Sequence, residues 1–433
     1  MFSGVLERKL VLMRILVVST FYPPNLSTST QGVYKRLSMF IEALSKLAQL
    51  DVLFYVPSDI DTSEAGTKDH EQALSQYWRT NVNLFLCPTA IHRQALPKWR
   101  KKWDNIFSFF HQHNFPIDPQ SLQLQAFESC LECQPDAIFV HRLPAFCPAL
   151  LTQKNLPPIY FDLDDIEHIK YVRRLQQPPI RLQSLFSYLQ VPTLLWGERQ
   201  AIRAAQLTFV CSERDRHYLT QQFNAQGLTT IPNAINIPQP QPITPEPTLL
   251  LIGGYYYHAN TQAANFLIEQ VWSHIYAKMP NARLLIAGTQ PENIRSYGKS
   301  IPGVEFLGFV KDLDTLYQQS RIVCCPIFTG GGTRVKMIEA AAYGKPIIAT
   351  QIGAEGLNFR DQKEFLLCNS SQEFTVACLE LLQNDSLCAQ LGAAAHQMAI
   401  QHYDRANVIN LICQKIQLAT PIFQNATALT NEE

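Results

Sequence analysis

Between Pro326 and Gly344 the chain gathers the residue types that could hold a phosphorylated ligand. Gly330, Gly331 and Gly332 have no side chains, so their backbone N–H groups can approach an anion closely. Thr333 is suited to cap the helix that follows, whose N-terminus also favours negative charge. Arg334 and Lys336 add counter-charges. Beyond them Met337, Ile338, Ala340, Ala341 and Ala342 make the predicted helix apolar all round and therefore buried, which leaves Glu339 as an interior acid that needs donors. Helical spacing puts Gly332, Lys336, Glu339 and Tyr343 on one face. On a regular helix the glycines and Glu339 would lie roughly 10 Å apart along the axis, on the order of a nucleoside diphosphate's length. The face reads as a seat for a nucleotide-sugar, with phosphates at the glycines and ribose hydroxyls on Glu339. A glycine-rich turn with Glu339 paired to a nearby cation is the plainer alternative; the coincidence of triple glycine, two cations and an interior acid favours the first.

A second group of candidates lies upstream. Pro135 to His141 reads as a strand with a histidine at its carboxyl end, and Ile159 to His168 as another that ends in Asp162, Asp164, Asp165 and Glu167. Ligands of open α/β sheets sit at such strand ends. Crowded carboxylates repel, which could raise one into the range of a general base. Asp165 and Glu167 are expected to cap the next helix, leaving Asp162, Asp164 and His141 as catalytic candidates.

These groups need a scaffold, and the alternation of short apolar runs with helical periods supplies one. Met13 to Ser19 is a first strand, Val33 to Leu47 a helix and Asp51 to Val56 a second strand, which makes a βαβ opening without the GxGxxG of a dinucleotide site. A proline-rich connector, Ile237 to Pro247, divides the chain, and the alternation then restarts with Leu249 to Ile252, the turn Gly253-Gly254 and a helix over Ala263 to Ala277. Ile322 to Cys325 is the buried strand that delivers the glycine loop. The expected fold is α/β: two Rossmann-like doubly wound domains, residues 13–236 and 248–403, facing across a cleft. Residues 1–12 form an extension, 237–247 the linker, and 404–433 a last helix over Val408 to Ile416 and a polar tail.

Zero net charge over 433 residues excludes a global field for nucleic acid or anionic lipid. The eleven cysteines lack paired metal-ligand spacing, Cys130 and Cys133 included, and suit a reduced cytoplasm. No run is long enough to span a bilayer. The stretch Leu96 to Phe110 aligns Trp99, Trp103, Ile106 and Phe110 on one side of a helix that starts with Lys98, Arg100, Lys101 and Lys102. A core-packing helix is the commoner reading; a peripheral contact of Lys98, Trp99, Lys101, Lys102 and Trp103 with the inner face of a membrane, or with a lipid-linked acceptor, is the functional one.

In family order, Gly253-Gly254, Leu307-Gly308-Phe309-Val310, the glycine motif and Ile352-Gly353-Ala354-Glu355-Gly356-Leu357 resemble the GT-B glycosyltransferases of retaining family 4, often called group 1, in the subset with a GGGTR-type loop. The resemblance runs from Met13 to about His402. It implies transfer of a sugar from a UDP- or GDP-linked donor to a hydroxyl of a glycan or lipid-linked acceptor, with retention, no cofactor and no metal, in a setting such as cell-surface polysaccharide synthesis. Donor contacts fall on Gly254, Phe309, Val310, Gly330, Gly331, Gly332, Thr333, Arg334, Lys336, Glu339 and Glu355. The ribose-binding glutamate maps to Glu339, while its partner seven residues upstream is replaced by Gly331. A basic pair after the domain's first strand is also replaced, by Gly254 and Tyr255 to Tyr257, so Arg334 and Lys336 are the substitutes for diphosphate binding. Acceptor contacts would fall around Gln31-Gly32, His141 and the Trp99 helix. A sugar-nucleotide epimerase or hydrolase, or a non-catalytic nucleotide-sugar-binding partner, are the alternatives on the same fold.

Overall fold

A computed structural model describes residues 13–23, 32–89, 106–111, 122–176 and 187–420. The first half contains β1 (Arg14–Ser19), α1 (Gly32–Ser45), β2 (Gln49–Val56), α2 (Glu64–Trp78), β3 (Val82–Pro88), α3 (Leu122–Leu131), β4 (Ala137–His141), α4 (Cys147–Leu151) and β5 (Ile159–Asp164). It continues through α5 (Glu167–Leu175), α6 (Val191–Ala204), β6 (Leu207–Val210), α7 (Glu213–Phe223) and β7 (Leu228–Thr230). Its strands form a seven-stranded sheet in the order β3-β2-β1-β4-β5-β6-β7, all pairs parallel.

The second half holds β8 (Thr248–Ile252), α8 (His258–Phe266), α9 (Ser273–Lys278), β9 (Arg283–Ala287), β10 (Val304–Gly308), α10 (Leu313–Gln318), β11 (Ile322–Cys325) and α11 (Val335–Ala342). Then come β12 (Ile347–Ala349), β13 (Leu366–Leu367), α12 (Ser371–Gln383), α13 (Asp385–Tyr403) and α14 (Arg405–Ala419). A six-stranded parallel sheet results, in the order β10-β9-β8-β11-β12-β13. Both sheets reverse strand order once, between β1 and β4 and between β8 and β11, and a crevice opens outside the strands' carboxyl ends at such a switch. The candidate residues hang from these two points.

Parallel strands covered on both faces must be apolar throughout, and Ile15 to Val18 and Ile322 to Cys325 are accordingly buried. The linker is extended and tied down: Gln241 N–H donates to Tyr343 O at 2.9 Å, and Lys345 Nζ to Pro242 O at 2.8 Å. Helix α14 leaves the second domain and packs its Val408, Ile409, Ile412 and Ile416 into the core of the first. The tail expected after residue 403 is thus, as far as Ala419, a structural part of the first domain. The single helix expected over Ala263 to Ala277 starts earlier, at His258, and is interrupted by a π-turn, Leu267–Trp272. That wider turn carries Trp272, whose Nε1–H reaches Pro302 O at 2.8 Å.

Of the basic-aromatic stretch, Leu96 to Asn105, with Lys98, Trp99, Lys101, Lys102 and Trp103, lies outside the described residues, as do Gln31 and residues 1–12 and 421–433. Among the described residues no helix is long and apolar enough to cross a membrane, and no group of His, Cys, Asp or Glu is placed to hold a metal ion.

Candidate active site

The β1/β4 switch places Ser19 beside His141: Ser19 Oγ and His141 Nδ1 are 3.0 Å apart, and Phe21 N–H donates to the same hydroxyl at 3.0 Å. The hydroxyl proton is then free to go to Nδ1, which puts the ring proton on Nε2. His141 is fully buried, and burial, then Arg142 and Arg36, hold its pKa well below the ordinary value. The ring is neutral at neutral pH. Its Nε2 has no hydrogen-bond partner among the described residues and lies 3.8 Å from Asp162 Oδ2.

Asp162 is committed elsewhere. Arg36, on α1, grips it with Nε at 2.9 and 3.0 Å and Nη2 at 2.7 Å, and spends Nη1 on Ile231 O at 2.9 Å. Both side chains are fully buried. Burial drives the Asp162 carboxyl up to about 6 against the pull of Arg36. Asp164 follows a register shift between β5 and β6 and takes a positive φ of 56°, which turns its carboxylate out between Arg36 Nε at 3.6 Å and Arg142 Nε at 3.4 Å.

Asp165 and Glu167 do not cap α5. The N-cap is Ile166, without a side-chain cap bond, and the orphan N–H groups of Glu167 and His168 instead reach Glu198 Oε1 on α6. Glu198 also takes His168 Nδ1, whose Nε2 contacts Tyr218 OH at 2.7 Å. This buried chain fixes the start of the helix that carries Lys170 and Arg173 toward the second domain. Asp165 is left for another use: Arg142 Nη2 and Lys170 Nζ both bind its Oδ2.

In the second domain β11 delivers the glycine loop as expected, with positive φ at Gly330 (114°) and Gly332 (66°), a conformation that favours glycine. Helix α11 begins only at Val335, so Gly332 stands before the helix and not on its face. Its N-cap is Arg334, which forms no side-chain cap, and Thr333 instead accepts a hydrogen bond from Asn233 Nδ2 at 2.8 Å across the interdomain gap. Arg334 folds back on the carbonyls of Gly331 and Gly332, and its Nε and Nη2 are buried without partners among the described residues. Lys336 points toward the Gly253-Gly254 turn, 2.7 Å from Asn260 Oδ1, and burial lowers its pKa. Gly253 could not accept a side chain freely, since a Cβ there would lie 3.1 Å from Lys336 Nζ. Phe309, at the end of β10, is 39% exposed, and Val310 packs against the core beneath it.

Glu339 faces the gap. It pairs with Lys35 of α1, and both line a cleft of about 840 Å³ with Ser38, Glu42, Tyr343 and Arg405. Glu355 is gripped by two arginines of the first domain, Arg173, whose Nη2 is 2.8 Å from Oε1, and Arg214. Arg173 Nη1 also donates to Gly330 O at 2.8 Å. The two sets of candidates therefore meet across one gap, and Lys35, Arg36, Arg142, Arg173 and Asn233 join them. These five escaped the sequence reading, because each acts on a partner brought close only by the fold.

Residues 246–384 match the family model described as glycosyl transferases group 1. A Haemophilus influenzae protein described as an uncharacterized glycosyltransferase is 28% identical over 168 residues, 35% of this chain and 46% of that protein. A Klebsiella pneumoniae protein, described as an uncharacterized 44.6 kDa protein in a cps region, is 21% identical over 172 residues, 38% of this chain and 44% of its own length. Each match thus spans less than half of the curated relative. Among solved structures, sucrose-phosphate synthase from Thermosynechococcus elongatus superposes with a TM-score of 0.68 at 17% identity, over 94% of this chain and 98% of that one. Anabaena HepE in complex with UDP and glucose gives 0.62 at 15% identity, over 94% and 99%. The two parallel-sheet domains, meeting at their switch points, have the GT-B fold of these solved structures, and the glycine-loop half, residues 246–384, is similar to the group 1 glycosyl transferases.

Proposed function

We propose that the protein transfers a sugar from a nucleoside diphosphate sugar to a hydroxyl acceptor, with retention at the anomeric carbon. One observation carries this reading: Glu339, on a helix that is apolar beyond Lys336, turns its carboxylate into the interdomain gap one turn beyond that lysine and the glycine loop. Ribose hydroxyls would replace Lys35 as its donors. The diphosphate would lie against Lys336, the unpaired guanidinium nitrogens of Arg334 and the loop's backbone amides, which stabilise charge as the leaving group departs. The step so drawn asks for no metal and no resident cofactor. UDP is the first nucleotide to test, since HepE is described with UDP and glucose. His141, neutral and with no hydrogen bond to Nε2 from a described residue, and Asp164 at the end of β5 would serve the acceptor. A glycan or lipid-linked hydroxyl is the acceptor class, and polysaccharide synthesis in the cytoplasm, at the inner face of a membrane, the setting.

The test is release of nucleoside diphosphate from UDP- and GDP-sugars, followed with and without a panel of glycan and glycolipid acceptors. Acceptor-dependent release with an α-linked product from an α-linked donor supports the proposal. Free sugar or an epimer formed equally well without acceptor would assign a hydrolase or epimerase instead, and donor binding without turnover a non-catalytic partner.

A further inference from the structure

The glycine loop offers a ligand no side chain of its own between Gly330 and Gly332, so whatever recognises a group resting there must come from elsewhere in the chain. The space where each missing side chain would begin shows what does. A Cβ at Gly330 would lie 2.7 Å from Tyr257 OH and 3.2 Å from Arg334 Nη2. One at Gly331 would lie 3.3 Å from Lys170 Cβ, and one at Gly332 would collide with Asp165 Oδ1. The last two come from the first domain. The loop thus has a polarity, cationic and hydroxylic at its start and carboxylate at its end.

The two oxygens of Asp165 are not equivalent. Oδ2 takes both Arg142 Nη2 and Lys170 Nζ, whereas Oδ1, the oxygen over Gly332, receives no hydrogen bond from a described residue. Burial opposes ionisation, yet Lys170 and Arg142 hold the carboxyl well below the usual range, so it is a carboxylate at any working pH. An ionised oxygen with open lone pairs accepts from O–H groups and repels phosphate. Arg142 itself is buried, with its Nε 3.4 Å from Asp164 Oδ2 but not hydrogen-bonded to it.

We propose that Asp165 Oδ1, presented by the first domain over Gly332, binds hydroxyls of the transferred sugar, with Arg142 and Lys170 as the positioning residues that aim it. The inference rests on the donor-site reading above and adds the end of the donor that reading left without a side chain. Ribose at Glu339, diphosphate at Lys336 and Arg334, and sugar at Asp165 then follow one another along the gap. Because the carboxylate belongs to the opposite domain, the sugar is gripped only when the two domains are together.

Calorimetric titration of wild type, Asp165→Asn and Asp165→Glu with UDP, GDP, UDP-glucose, UDP-N-acetylglucosamine and GDP-mannose tests this. The expected result is that Asp165→Asn binds the bare nucleotide within about twofold of wild type but loses roughly tenfold in affinity for the preferred nucleotide-sugar, a hydrogen-bond-sized effect, and that Asp165→Glu recovers part of it. A merely structural role would weaken nucleotide and nucleotide-sugar alike, and that outcome, or no loss for either, overturns the inference while leaving the donor site standing. Failure of the wild type to bind any nucleotide overturns the donor site and this inference together. Should the Asn variant not fold, Lys170→Ala, which removes one of the two cations on Oδ2, must show the same selective loss in weaker form.

Discussion

Glu339 and Asp162 are both carboxylates drawn in from the surface, and burial and partners tell them apart. Asp162 is closed off by Arg36, a fully buried pair in which the guanidinium also reaches Asp164 and Ile231 O. Removing one member of such a pair leaves the other uncompensated, so Arg36→Met should lower stability by about 3–5 kcal/mol, read as a fall in the urea midpoint at constant slope. Glu339 is only partly buried, and its Lys35 partner is 29% exposed. That contact is replaceable by ligand hydroxyls, and Lys35→Ala should leave the unfolding free energy from urea denaturation within about 1 kcal/mol of wild type. The sequence made Glu339 legible because its own helix is greasy on every side. It could not distinguish Asp162 from Asp164, and it set Asp165 aside as a cap, since the arginines that sort them, Arg36 and Arg142, act through the packing of α1 against β5 and the positive φ values of Arg142 and Asp164.

At the scale of elements, capping residues were the least readable feature. Thr333 and Asp165 have the right chemistry and positions, but Asn233 and the pair Arg142 and Lys170 claim them first. The start of α5 is held instead by Glu198, thirty-one residues downstream of Glu167. Glu198→Ala should therefore loosen the helix that presents Lys170 and Arg173, costing about 1–3 kcal/mol through the orphaned N–H groups and His168, and should raise amide exchange in residues 166–170 more than elsewhere. Local caps do hold other helices: Ser370 with Glu373 starts α12, and Asn384 starts α13. Lys345, just past α11, gives a pH signature. Burial lowers its pKa from 10.5 to about 8, so between those values the unfolded chain binds more protons and stability rises with pH. Lys345→Met should flatten that rise by about 1–3 kcal/mol, seen as the difference between variant and wild type in denaturation from pH 7.5 to pH 10.5.

For the whole molecule, two parallel sheets and a proline-rich linker were legible from the alternation of strand and helix periods. The return of α14 to the first domain was not, because its apolar face carries no mark of which core it fills. That return means the chain crosses between domains twice, at the linker and before Arg405, which restricts their relative motion to a hinge about those two strands of chain. Closure is held by Lys35 with Glu339, Arg173 and Arg214 with Glu355, and Asn233 with Thr333. Arg173→Ala with Arg214→Ala should open the gap, visible as a larger radius of gyration in solution scattering that nucleotide-sugar partly reverses. The claim on which the rest depends is that the Glu339 helix and its glycine loop bind a nucleoside diphosphate. Thermal shift with UDP and GDP on wild type, Glu339→Ala and Lys336→Ala tests it most directly: wild type should be stabilised by at least one of them, and each variant should lose most of that gain. Equal stabilisation of all three proteins, or none of the wild type by either nucleotide, would contradict it.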